Sequence, residues 1–282
     1  MSTDNYSIRP MRRDELDTAL QWAAHEGWNP GLHDAACFHA ADPQGFLVGL
    51  RGDEPIACIS VVRYGASYGF LGLYIVAPEH RGQGHGWALW QAGMAHLGER
   101  AVGLDGVVAQ QANYRRSGFV LAHRNVRYQG AARHGGGAGG VLDLRAVDFQ
   151  QVLDCDRPCF PAGREAFLRA WVRQSGHHAL GLAQGGRLAA YGVIRPCLQG
   201  HKIGPLIADD AAQAQTLLRA LMARVPEGSA VFLDVPQTHA AAVALAEGHG
   251  MAPMFETARM YKGAPALPDM QRTFGIATFE LG

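Results

Sequence analysis

The segment Leu73-Tyr74-Ile75-Val76-Ala77-Pro78-Glu79-His80-Arg81-Gly82-Gln83-Gly84-His85-Gly86-Trp87-Ala88-Leu89 decides how this chain is read. Residues 73–76 end a run from Tyr68 to Val76 that reads as a strand, and Trp87 to Leu97 reads as an apolar helix. Between them three glycines alternate with other residues, behind Pro78 and Arg81. A helix N-terminus carries unpaired N–H groups and the positive end of the helix dipole. Glycines let an anion come close to that backbone. The loop therefore suits a pyrophosphate, with Arg81 adding charge. A dinucleotide fold would need Gly-x-Gly-x-x-Gly directly after the strand and an acidic residue further on, and a P-loop would end in Gly-Lys-Ser/Thr. Neither spacing is present.

Outward from the loop, the first half reads as mixed α and β. Leu16, Leu20 and Ala23 recur at helical spacing over 12–25; the turn Gly27-Trp28-Asn29-Pro30-Gly31 follows, then room for a short helix. Phe46 to Leu50 and Pro55 to Tyr64 read as strands joined by the polar turn Arg51–Glu54. After the long helix come a strand at 101–108, a short helix near 110–117 and a closing strand at 119–128. The stretch 130–140 holds six glycines in eleven residues, and we expect a linker at 131–140 between units 1–130 and 141–282, the latter ending in a tail.

The second unit repeats the plan of the first. Leu104-Asp105-Gly106 matches Leu233-Asp234-Val235, Ser117-Gly118-Phe119 matches His249-Gly250-Met251, and Val126-Arg127-Tyr128 matches Arg259-Met260-Tyr261. Three ordered matches at similar spacing point to a duplication. The copy of the glycine loop, Leu206-Ile207-Ala208-Asp209-Asp210-Ala211-Ala212-Gln213, has lost the arginine and all three glycines, and its two aspartates would repel a phosphate.

A second signal, Tyr114-Arg115-Arg116-Ser117-Gly118-Phe119, lies 33 residues after Arg81. Together with the loop it resembles the GNAT superfamily of acyl-CoA N-acyltransferases, whose first motif is Arg/Gln-x-x-Gly-x-Gly/Ala and which carries Tyr-x-x-x-Gly-Phe further on. The likeness is direct over about 46–128 and reaches the second half through the repeat. It implies an α/β (α+β) fold of two GNAT-like domains, each a mixed, mostly antiparallel sheet flanked by helices. It further implies that the backbone of Arg81, Gly82, Gln83, Gly84, His85, Gly86 and Trp87 holds a pyrophosphate, and that Tyr74, Ile75 and Val76 pair with a pantetheine arm. Tyr114 would protonate the departing thiolate; a phenol with an ordinary pKa of about 10 holds its proton at neutral pH.

Attack on a thioester needs a neutral amine, so a base must take its proton. Glu79, His80, His33, Asp34 and Asp105 are the candidates, with Glu79 and Asp105 placed beside Tyr114 as catalytic residues. Trp28, Asn29, His33 and Asp34, in and after the turn expected over the acceptor pocket, are candidate acceptor contacts. If the halves face each other, Tyr191 and Arg195 join them, with Lys202, Phe255, Glu256 and Arg259 also within reach. A deep acidic pocket there would favour a small cationic amine, and an open groove a peptide.

Lys+Arg and Asp+Glu both number 25, which gives no electrostatic reason to expect nucleic acid or an anionic membrane surface. No apolar run approaches the ~18 residues of a spanning helix, and Met1–Asn5 does not open like a signal peptide. The five cysteines form no zinc pattern and the thirteen histidines no metal set. The expectation is a cytoplasmic monomer or homodimer that moves an acetyl group from acetyl-CoA to a small-molecule primary amine in a ternary complex, without metal. A peptide or protein acceptor and a non-catalytic acyl-CoA sensor are the alternatives.

Overall fold

A computed structural model describes residues 5–135 and 139–282; Met1–Asp4 and, in the glycine stretch, Gly136, Gly137 and Ala138 lie outside the described residues. The first half runs β1 (Tyr6–Pro10), α1 (Glu15–His25), α2 (Asp34–Ala41), β2 (Phe46–Arg51), β3 (Glu54–Tyr64), β4 (Tyr68–Val76), α3 (His85–Leu97), β5 (Ala101–Val107), α4 (Gln111–Arg116) and β6 (Val120–Ala131). The second repeats it as β7 (Val141–Asp143), α5 (Phe149–Asp156), α6 (Glu165–Trp171), β8 (His178–Gln184), β9 (Arg187–Pro196), β10 (His201–Ala208), α7 (Ala211–Met222), β11 (Ala230–Pro236), α8 (Ala240–Gly248) and β12 (Ala252–Lys262). A last strand, β13 (Thr273–Gly275), follows. The duplication is thus element for element. The sequence reading did not include β1.

The halves share one sheet in the order β1-β2-β3-β4-β5-β12-β6-β11-β10-β9-β8-β7. It is antiparallel except at β4–β5 and β10–β11. Its centre is an exchange: β12 lies on β5 of the first half, and β6 lies on β11 of the second. The glycine stretch begins later than its composition suggests. Gly130 and Ala131 continue the β6 ladder opposite Val231 and Ala230, because a side chain at Gly130 would meet Met251 at 2.8 Å.

Buried ion pairs stitch the centre. Asp105 on β5 receives Arg259 of β12 at 2.6 and 2.8 Å and Asn125 of β6 at 2.8 Å. Arg127 of β6 grips Asp234 of β11 at 2.7 and 2.8 Å. Arg195 of β9 grips Asp34 of α2 at 2.9 Å. Buried charges persist only when paired in this way.

The tail after β13 is a strap. Within each half the two parallel strands part: β4 leaves β5 after Leu71, and β10 leaves β11 after Ile203. In the second half the parting is filled. β13 pairs with β10 at Leu206 and Ile207, and the Ile276 N–H donates to the Asp234 carbonyl. The strap then crosses to the first half, where Glu280 and Leu281 accept from the Ser60 and Tyr64 hydroxyls. Gly204 and Gly72, equivalent in the two halves, both touch it. A side chain there would meet the Ala277 oxygen at 2.5 Å or the Glu280 oxygen at 2.2 Å.

Candidate active site

The parting of β4 from β5 begins at a bulge. Ser60 of β3 faces Gly72 while Cys58 faces Ile75, so β4 spends one extra residue there. Leu73 takes the left-handed region at φ 45°, which a leucine adopts only when its surroundings impose it. Past Leu71, β4 keeps its β3 partner but no longer pairs with β5. Among the described residues no strand pairs with its β5 side along 72–76.

A cavity of about 950 Å³ occupies the parting and is lined by residues from both faces of the sheet. On the α3 face it is lined by Tyr74, Val76, Arg81, Gly82, Gly84, Gly86, Trp87, Trp90 and Tyr114; on the strap face by Trp28, Phe255, Thr257, Phe279 and Glu280. Asp105 stands at its wall.

The loop at 81–87 turns on its glycines and leads into the N-terminus of α3. Gly82 and Gly84 sit at φ 75° and 88°, and Gly84 caps α3. Gly86 is needed for space, since a Cβ would lie 2.8 Å from the Tyr74 hydroxyl and 3.0 Å from Val76. Arg81 folds back. Its Nε donates to the Val76 carbonyl at 2.8 Å and its Nη2 meets Glu26 at 2.5 Å, so it braces the loop against the end of α1. Gln83 and His85 point away from the cavity. Gln83 reaches the Glu79 carbonyl at 2.9 Å, and the His85 ring lies tilted against Tyr6 at 4.6 Å. They offer the loop only their backbone. In the second half, the Asp210 carboxylate accepts from the Gln213 N–H at 2.8 Å and caps α7 itself, while Asp209 is tied to Arg187 and Arg272. The place of the anion is taken.

Tyr114 lies flat on β5 because residue 106 is glycine; a Cβ there would meet its ring at 2.1 Å. The ring stacks on Trp90 at 5.8 Å. Tyr114 borders the cavity. Burial and the neighbouring Tyr74 push the phenol up to about 12. Gln110 and Asn113, not singled out from the sequence, border the same space.

The remaining sequence candidates scatter. Glu79 is exposed on the turn 78–80, outside the cavity, whereas His80 borders it. Asp105 has both oxygens engaged by Arg259 and Asn125; burial pushes its carboxyl up against their pull. It holds the exchanged strand more than it awaits a proton. Trp28 borders the cavity, and its carbonyl accepts from Arg127 at 2.7 Å. Asn29 binds the Gln199 backbone and its carbonyl takes Lys202 at 2.9 Å. His33 is exposed elsewhere. Asp34 and Arg195 neutralise each other, and Tyr191 donates to Asp156, itself held by Arg164, in the second half's core. The sequence reading set these residues around a cleft between facing halves. In the continuous sheet Trp28 and Phe255 border the cavity, His33 is exposed, Asp34, Tyr191 and Arg195 are buried in pairings of their own, and Thr257 of β12 and Phe279 and Glu280 of the strap join the wall.

Comparison with known proteins agrees with this geometry. The model of the acetyltransferase (GNAT) family matches residues 11–119, and that of an acetyltransferase (GNAT) domain matches 152–275. Holothin acyltransferase of Pseudoalteromonas sp. (strain SANK 73390) is 32% identical over 278 residues, covering 98% of this chain and 95% of that one. A candidate acetyltransferase from Pyrococcus horikoshii superposes with a TM-score of 0.85 at 19% identity, over 100% of this chain and 98% of that one. A tandem GNAT protein from the clavulanic acid biosynthesis pathway gives 0.64 at 16% identity, over 94% and 99%. No described helix is long and apolar enough to cross a membrane. The loop, the parted strands and the relatives agree: the chain belongs to the GNAT family and is an acyl-CoA-dependent N-acyltransferase of two GNAT domains.

Proposed function

We propose that this chain moves an acetyl group from acetyl-CoA to a primary amine of a small molecule, by direct attack in a ternary complex. The observation that carries the reading is one cavity lined from both faces of the sheet at the parting of β4 and β5. The pyrophosphate rests on residues 81–87 and the pantetheine runs beside 74–76. The thioester comes to the bulge, and the amine approaches from the strap face. Tyr114 holds the sulfur as it leaves. Only the first half carries the loop, so one acetyl-CoA binds per chain. Phe279 and Glu280 cross the strap face, which suits a compact acceptor better than a peptide. Trp28, Phe255 and Phe279 favour a flat, largely apolar body on that amine. The five cysteines are free, which suits a reducing, cytoplasmic setting. Holothin, named by the relative, is the first acceptor to try.

Amine-dependent release of thiol from acetyl-CoA, screened over small amines and short peptides, tests the reading; release with peptides alone would replace it. Acetyl-CoA is expected to raise the melting temperature, as a ligand that binds only the folded state must. Gly84→Glu is expected to abolish that rise, through both the added charge and the φ of 88°. A rise that survives in Gly84→Glu would move the pyrophosphate elsewhere. Gly106→Ala is expected to displace the Tyr114 ring and lower turnover at least tenfold while the acetyl-CoA shift persists. Unchanged turnover would show that the ring's seat on β5 is immaterial.

A further inference from the structure

Glu280 stands out among the buried charges. It is 3% exposed and belongs to the strap, yet it borders the cavity beside the bulge. Its backbone oxygen is fixed by Ser60 of β3 at 3.3 Å and packs against Gly72, where the strands part. The Thr278 hydroxyl donates to its Oε2. Its Oε1 is shielded from water and has no hydrogen-bond partner. A buried carboxylate oxygen without a donor is costly and asks for an explanation. The other carboxylates of this region are satisfied: Asp34 by Arg195, Asp234 by Arg127 and Asp105 by Arg259.

The seat is constructed. Two glycines, 72 and 204, make room for the strap's main chain, and Ser60, Tyr64 and Arg164 bind its carbonyls. The charged groups that act on Glu280 are Arg127 of β6, Arg195 of β9 and Lys202 of β10. Asp34 of α2 and Asp234 of β11 counter two of these cations, and Glu280 is the third carboxylate of the set.

We infer that the Glu280 carboxylate, held by the strap at the bulge, receives the proton of the acceptor amine. This rests on the transferase reading above and adds the group on the acceptor side. An arriving ammonium donates to Oε1 and leaves one proton there, which passes to solvent. The nitrogen lone pair then forms the C–N bond to the thioester carbon, and the C–S bond breaks with its electron pair going to sulfur. The nitrogen's second proton goes to solvent as the amide forms, and the departing thiolate, hydrogen-bonded by Tyr114, takes one proton from solvent, so the net release is one proton. The products are the amide and the free thiol.

The test compares wild type with Glu280→Gln, using acetyl-CoA and the best amine of the screen. Acetyl-CoA should raise the melting temperature of both equally, while kcat/KM for the amine falls about 100-fold in the variant. The profile should also change shape. In wild type kcat/KM levels off near neutral pH; in Glu280→Gln it climbs about tenfold per pH unit toward the amine's own pKa, because only amine already neutral in solution reacts. A loss with unchanged shape, or no loss, would overturn the inference. A wild type without amine-dependent thiol release would instead remove the transferase reading. Should Glu280→Gln not fold, Thr278→Val serves. It takes away the hydroxyl that holds Oε2 and leaves the carboxylate in place, so kcat/KM for the amine should fall while the acetyl-CoA shift in melting temperature stays that of wild type. An unchanged kcat/KM would overturn the inference.

Discussion

Tyr114→Phe is expected to lower kcat by roughly 100-fold, with acetyl-CoA binding and the melting temperature nearly unchanged. The substitution keeps the ring that stacks on Trp90 and fills the space over Gly106, so packing is preserved. Only the hydroxyl is lost. General-acid groups typically contribute ~10²–10⁴-fold. The low end applies here for a physical reason. A phenol pushed up to about 12 is a much weaker acid than a thiol of pKa ~8.5. Passing its proton outright to a finished thiolate is uphill by ~3.5 pKa units, or about 5 kcal/mol. Tyr114 therefore acts chiefly through a hydrogen bond to charge developing on sulfur, worth most in a site closed to water. The same pKa sets the pH behaviour. The working form is protonated below about 12 and would be lost only as pH rises through that value. No basic limb from Tyr114 should therefore appear below pH ~11, which a kcat profile checks. Single-turnover rates separate this from product release. A variant with full kcat would leave Tyr114 a packing residue.

The parts of this site that could be read from the sequence are those whose chemistry is local. The glycine loop, the strand before it and the helix after it are neighbours along the chain, and Tyr114 stands four residues before the Gly118 of its Gly-Phe element. The duplication was legible too, because each copy keeps its own order. What could not be read was pairing. β6 and β12 descend from the same position in the repeat, and Val126-Arg127-Tyr128 and Arg259-Met260-Tyr261 give no sign of which neighbour each will choose. The exchange is decided by side chains far apart in the chain, such as Asp105 with Arg259 and Arg127 with Asp234. Asp34 and Arg195 show the same limit. Each was a reasonable acceptor contact alone, and neither reveals from sequence that the other, 161 residues away, is its partner. The strap was missed because Thr273 to Gly282 is short and mostly apolar. One clue was available: Glu280 is the only charged residue in that stretch.

The exchange also sets where the fold is most vulnerable, and Arg259→Met is expected to cost about 3–5 kcal/mol, the usual loss when one partner of a buried ion pair is removed. Arg259 is 4% exposed, lies over the Phe70 ring at 5.1 Å, and makes both of its short bonds to Asp105. Without it, that carboxylate keeps only Asn125 in a place water does not reach. The loss is a large share of the ~5–15 kcal/mol that holds a typical domain together. For a chain of this size it corresponds to a fall in melting temperature on the order of 10 °C. The control lies on the other side of β12, where it pairs with β6. Arg124 of β6 meets Glu256 of β12 at 2.6 Å, with the arginine side chain 47% exposed. The chemistry and the distance are alike, but solvent screens the pair, so Arg124→Met should cost no more than about 1 kcal/mol. Urea titrations of the two variants and the wild type measure the difference directly. Adding Asp105→Leu to Arg259→Met should recover part of the loss, because the orphaned carboxylate goes with it. Equal costs for Arg259→Met and Arg124→Met would mean that the exchanged strands are held by their backbone ladders alone, and that the buried pairs between them do not secure the joined sheet.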